Sequence, residues 1–272
     1  MVPRGDRLAA RAHPIMTAAS ASLAPIHWHM VSDHQSWELL VWPGPTAPPA
    51  PRFLLIHGLG ATPAYFQPLA ALLSANGVVY APALPGFGGT ARLPGTQTTE
   101  AIARAVANLC VTIGQGPYVI VGHSLGCQIA ARLCARFPDI ASGLVLLAPA
   151  PDPSAGPLIC QALALAVDVP REPLALIRLM LPAMLTAGPR YLLTAIWAMR
   201  RYHWQDDLEV ITAPALVIRG GRDPLVSHRW GETVARLIPN ARLVEVAGAP
   251  HGVNFTDPGP IAEAIRGLSR DV

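Results

Sequence analysis

With 272 residues, 51% of them hydrophobic and 14% charged, the chain can bury the core of one large domain without disulfide or metal staples. The formal net charge is +3 and the 20 basic residues are all arginines, scattered along the chain; this excludes Schiff-base and P-loop lysine chemistry and leaves no nucleic-acid footprint. Pro, Gly or Arg interrupts each long apolar stretch before bilayer length, so no membrane span is expected.

Residues 1–25 carry early arginines and an Ala/Ser-rich end, but Arg11, His13 and Pro14 break any secretory apolar core; a flexible tail on a cytoplasmic protein is expected. Next, "HWHMV" and "WELLVW" predict an opening hairpin. "RFLLIHG", "GVVYAPAL", "YVIVGHS", "GLVLLAP", "PALVIRGG" and "ARLVEVAG" follow as further strands. Between them, "PLAALLSAN", "TEAIARAVANLCVTIG", "GCQIAARLCARF" and "GETVARLI" show helical spacing. The later strands are continuously apolar rather than alternating, which suits a sheet covered on both faces. The expectation is a doubly wound α/β fold with eight mostly parallel strands. Its core is divided into residues 26–150 and 211–272 by a helical insertion at 151–210. That insertion contains "PLICQALALAV", "EPLALIRLMLPAML" and "RYLLTAIWAMRRYHW", Pro-punctuated apolar helices that either cover an open site or simply add a layer to the core. Cys110, Cys127, Cys134 and Cys160 lack CxxC spacing and read as buried reduced thiols rather than disulfide partners or zinc ligands.

Gly122-His123-Ser124-Leu125-Gly126 stands where a strand pattern gives way to a helix pattern. Such a corner forces its middle residue into a sparsely allowed conformation and needs small neighbours. It holds the Ser124 hydroxyl above the sheet's carboxyl edge, beside the positive end of a helix. Serine needs a base, and His251, just after the last predicted strand, returns to that edge. The imidazole needs an anion. Asp223, in the Gly-rich turn after the penultimate strand, is preferred, and Asp152, beyond the preceding strand, is its rival. An oxyanion formed at Ser124 would be held by the Leu59 and Leu125 amides, with His57 as a structural hydrogen bonder.

With "HGLG", "LPGFGGT", "GHSLG", "GGRDPLV" and "GAPHGVNFTDP" in hand, the chain over about residues 26–268 resembles the α/β-hydrolase superfamily, particularly its lid-bearing branch of small esterases, C–C bond hydrolases and cofactor-free perhydrolases. The resemblance implies a lid at 151–210, with Met180, Leu181, Met184, Leu185, Trp197 and Trp204 lining an apolar substrate pocket. Serine at 124 disfavours the alkyl-enzyme route of relatives that carry aspartate there. Ala83 and Pro250 depart from the family's frequent Asp and Gly, and the second bears on the path of the His251 loop. The implied activity is hydrolysis of small to medium apolar carboxylic esters through an acyl-enzyme, without metal or cofactor. The alternatives are C–C bond hydrolysis or lyase chemistry with the same triad, or a non-catalytic ligand receptor. The expected partner is a small-molecule ester or related carbonyl compound.

Overall fold

The computed structural model describes residues 6–8, 24–95, 97–114, 116–157 and 168–268. The rest of the expected tail, Cys160 and most of "PLICQALALAV" lie outside the described residues.

The eight expected strands are all present: β2 (Ile26–Ser32), β3 (Gln35–Trp42), β4 (Phe53–Ile56), β5 (Val79–Pro82), β6 (Tyr118–His123), β7 (Ala141–Leu147), β8 (Ala215–Gly220) and β9 (Ala241–Val246). A ninth, β1 (Asp6–Leu8), falls within the stretch expected to be a tail and runs parallel along β9. The sheet order is β1-β9-β8-β7-β6-β4-β5-β3-β2. Only the β2–β3 and β3–β5 pairs are antiparallel. The described helices are α1 (Gln67–Leu73), α2 (Thr99–Ile113), α3 (Leu125–Arg136), α4 (Leu174–Ala187), α5 (Pro189–Arg201), α6 (Gln205–Val210), α7 (His228–Leu237), α8 (Val253–Thr256) and α9 (Pro258–Leu268).

The continuous apolar runs follow from burial on both faces. In β4, Leu54 and Ile56 join one core cluster while Phe53 and Leu55 join the other; β6 divides Tyr118 and Ile120 from Val119 and Val121 in the same way. β4 lies between β5 and β6, so the chain reverses its direction of strand addition there. The carboxyl ends of β4 and β6 flank the crevice where ligands of open α/β sheets bind.

Helices α4 to α6 are inserted between β7 and β8. Gly188 breaks α4 from α5, and their axes differ by 97°. No single described helix is long and apolar enough to cross a membrane. At the end of the insertion, α6 packs on α3 and α7. Its Asp207 pairs with Arg132 of α3 at 2.7 Å, and Arg132 in turn pairs with Glu100 of α2. Cys110, Cys127 and Cys134 are buried and free. Burial pushes the Cys110 thiol up to about 12 and the other two also upward, so none is a reactive thiolate near neutral pH.

Candidate active site

β6 ends in Gly122 and His123, and α3 begins at Leu125, so Ser124 alone makes the corner between them, with φ 53° and ψ −119°. Its neighbours must be small: a Cβ on Gly126 would lie 2.2 Å from the Ile56 carbonyl oxygen, and one on Gly122 would lie 2.5 Å from that of Gly126. Ser124 occupies the N-cap position of α3, where serine ordinarily accepts a hydrogen bond from the helix's first turn. Here it makes no such bond, and its Oγ lies 3.1 Å from His251 Nε2.

His251 follows β9 on a turn pressed against the end of β8. A Cβ at Gly220 would meet the carbonyl oxygens of Ala249 and Pro250, each at 2.3 Å, so glycine is what lets the two strand exits touch. Pro250 does not divert the loop: His251 Nδ1 reaches Asp223 Oδ2 at 2.9 Å. The carboxylate can only accept there, so Nδ1 carries the proton and Nε2 is left to accept from the Ser124 hydroxyl. Asp223 Oδ1 accepts from the amides of Leu225 and Val226 at 2.8 and 3.2 Å. Arg219 steadies this turn by donating to the carbonyls of Val226 and Asp223.

The electrostatics match this geometry. Burial disfavours the His251 imidazolium, but the Asp223 carboxylate outweighs it, assisted by Asp168 and Glu172, and the pKa is held above the ordinary histidine value. Burial likewise acts to raise Asp223; the imidazole and the two amides reverse that and hold its carboxyl below the ordinary range.

Asp152, the rival acid, is spent elsewhere. Its Oδ1 accepts from the Ser154 amide and hydroxyl, and its Oδ2 from those of Ser227 at the N-cap of α7. His57 is a structural hydrogen bonder, as its sequence context suggested. Nε2 accepts from the Leu84 amide at 2.9 Å, and Nδ1 donates to the Gly58 carbonyl at 2.8 Å. Burial pushes its pKa down to about 4, so it is neutral with both ring nitrogens engaged.

The β4 exit lies against the serine: a Cβ on Gly58 would be 3.1 Å from Ser124 Cβ. Leu59 and Leu125 each directly follow a residue of this contact, and Leu125 is the first residue of α3, where an amide has no intrahelical acceptor.

Of the residues expected to line the pocket, Met184 approaches Gly60, whose added Cβ would lie 2.7 Å from Met184 Cγ, and Met180 packs against the core. The others are placed differently. Leu181, Leu185 and Trp197 are exposed on the outer side of α4 and α5, because the inner positions of these helices are taken by Leu176, Ala183, Tyr191 and Met199. Trp204 is 1% exposed and packs edge-to-face on Trp230, so it belongs to the core. An apolar recess of about 20 Å³ lies under α5, lined by Leu84, Phe87, Leu125, Ile129, Tyr191 and Met199. It has room for about one water.

Three residues at the site escaped the sequence reading. His123 has Nε2 3.0 Å from the His251 carbonyl oxygen, to which it donates; burial, then His251, push its pKa down to about 3. Asp168 and Glu172 accept from the amides of His251 and Gly252. The available signal for this pair was two acids four residues apart in "DVPRE", between two apolar helical stretches of the insertion. Among the described residues, no group of three or more His, Cys, Asp or Glu side chains is arranged to hold a metal ion.

A doubly wound sheet whose strand-to-helix corner serine meets a histidine and an aspartate at its carboxyl edge defines the class, and the chain belongs to the α/β hydrolase family, whose model matches residues 53–264. Among curated relatives it is similar to the pimeloyl-[acyl-carrier protein] methyl ester esterase of Neisseria meningitidis, 32% identical over 246 residues that cover 81% of this chain and 92% of that protein. It is also similar to the 2-(acetamidomethylene)succinate hydrolase of Mesorhizobium japonicum, 27% identical over 240 residues, 79% of this chain and 86% of the relative. Among solved structures, a bacterial membrane phospholipase A superposes with a TM-score of 0.78 at 23% identity, covering 92% of this chain and 88% of that one. The curated relatives support a hydrolase function.

Proposed function

We propose that the protein is a serine hydrolase of carboxylic esters. The observation that carries this reading is the unbroken line from Ser124 Oγ to His251 Nε2 at 3.1 Å and from His251 Nδ1 to Asp223 Oδ2 at 2.9 Å. In the proposed cycle His251 takes the hydroxyl proton as Oγ attacks the ester carbonyl, and Asp223 stabilises the imidazolium. The Leu59 and Leu125 amides hold the oxyanion. The ester's C–O bond breaks as His251 returns the proton to the leaving alcohol. Water, activated by the same imidazole, then cleaves the acyl-enzyme and regenerates the serine. No step calls for a cofactor.

The apolar recess beside Leu125 suits an alkyl acyl chain, and the name of the meningococcal relatives supports a methyl ester with a small leaving alcohol. A chain of several carbons exceeds the present room, so in this reading α4 and α5 act as a lid, and α5 withdraws to admit substrate.

The experiment is intact-mass measurement after a fluorophosphonate probe, combined with hydrolysis of methyl esters of graded chain length. One adduct on Ser124 is expected, and none on Ser124→Ala, whose kcat/KM falls by about four orders of magnitude. Asp223→Asn is expected to lose about three orders, whereas Asp152→Asn stays within a few-fold of wild type. Near wild-type hydrolysis by Ser124→Ala overturns the reading.

A further inference from the structure

Two carboxyl groups outside the Ser124–His251–Asp223 line are packed against it, and both come from the insertion. Asp168, 1% exposed, accepts from the His251 amide at 3.2 Å, and Glu172 accepts from the Gly252 amide at 2.7 Å. One turn, Val169–Arg171, separates them, and each carboxyl acts on the other at close range. Asp168 Oδ1 and Glu172 Oε2 are buried with no hydrogen-bond partner among the described residues. Two neighbouring buried carboxylates, each with an oxygen left unpaired, repel unless a proton lies between them, so the arrangement favours one protonated member. Gly252 is cut to fit: a Cβ there would lie 2.7 and 2.8 Å from the two Glu172 oxygens.

We propose that Asp168 and Glu172 are positioning residues for His251, a carboxyl pair sharing one proton that clasps the His251 and Gly252 amides and ties the place of the imidazole to the seating of the insertion. The catalytic consequence rests on the serine-hydrolase reading; the clasp itself does not. Burial, together with the charge of Asp168, raises the Glu172 carboxyl to about 7, which puts release of the shared proton near neutrality. The charged and titratable described groups acting on the pair are His251, which favours its ionised form, and Asp223, which opposes it. When the proton leaves, two adjacent anions repel, the insertion lifts and the His251 loop loses its two backbone acceptors. Asp168 touches no reacting atom; it acts through the loop.

The test compares wild type, Glu172→Gln and Glu172→Ala. It uses amide-exchange protection at Gly252, and kcat and KM for p-nitrophenyl acetate, each between pH 5.5 and 9. Wild-type protection and kcat are expected to fall together by about tenfold above neutrality with KM nearly constant. Glutamine keeps the clasp neutral, so Glu172→Gln should hold protection high across the range and kcat high on the alkaline side, once His251 has lost its proton. Alanine removes the clasp, and Glu172→Ala should be low throughout. Glu172→Gln reproducing the wild-type alkaline fall, or Glu172→Ala retaining wild-type protection, overturns the proposal. A wild-type protein without Ser124-dependent turnover would sink the hydrolase reading, while the protection factors would still decide the clasp.

Discussion

Ser124 is a non-glycine residue held at φ 53°, a conformation that costs about 1–3 kcal/mol when the surroundings impose it. What is gained is direction: the hydroxyl gives up the capping bond that its helix position offers and reaches His251 Nε2 instead. The backbone at this corner has no slack, because Gly126 packs against the carbonyl oxygens of both Ile56 and His57. Gly126→Ala would drive a methyl into the exit of β4, a rigid central strand. It is expected to cost about 2–4 kcal/mol in urea unfolding and to shift the start of α3 along with it. An unchanged unfolding midpoint would mean that the corner can relax.

The insertion is joined to the core at both of its ends by polar contacts made at particular residues. At the first end, the Glu172 carboxyl, raised by burial from 4.5 to about 7, keeps a proton in the folded chain that the unfolded chain has released. Stability therefore declines as pH rises through that window and levels off above it. Allowing for solvent screening of a half-buried group, the wild type should lose about 1 kcal/mol, or about 2–4 °C in Tm, between pH 5 and pH 8 relative to Glu172→Gln. Parallel Tm profiles for the two proteins would refute this. At the other end, the link of Arg132 to Asp207 and Glu100 is independent of that titration, so α6 stays docked when the first end loosens.

At the scale of the molecule, two buried clusters sandwich one sheet, and the insertion contributes to the first of them through Tyr191, Met199, Trp204 and Leu208. Insertion and core therefore share part of their stability. Trp204→Ala, which empties the contact with Trp230, is expected to cost about 3–5 kcal/mol in chemical unfolding. Leu185→Ser, at a position 72% exposed, should stay within about 0.5 kcal/mol of wild type. Similar costs for the two would mean that α4 packs against something further.

The eight strands, the corner at Ser124 and the histidine and aspartate at two strand exits were legible in the sequence because each is marked locally: by apolar runs of strand length, glycines at turns and position after a strand. The division of labour between Asp223 and Asp152 was readable as a preference. Only the fold shows why, since Ser154 and Ser227 occupy the second carboxylate while His251 faces the first. The facing of α4 was not legible: a helix apolar on nearly every side carries no stripe to orient it, so Leu181 and Leu185 turned outward according to docking alone. Helix α5 carries a stripe that takes Tyr191 and Met199 inward and leaves Trp197 exposed, while Trp204, just before α6, is buried in the core. His123, Asp168 and Glu172 gain their roles from the approach of segments about 80 to 130 residues apart in sequence. Local chemistry specified which side chains could react; the long-range packing of strand exits and insertion decided which of them meet, because backbone amides and carboxyls acquire partners only when distant loops close on one another.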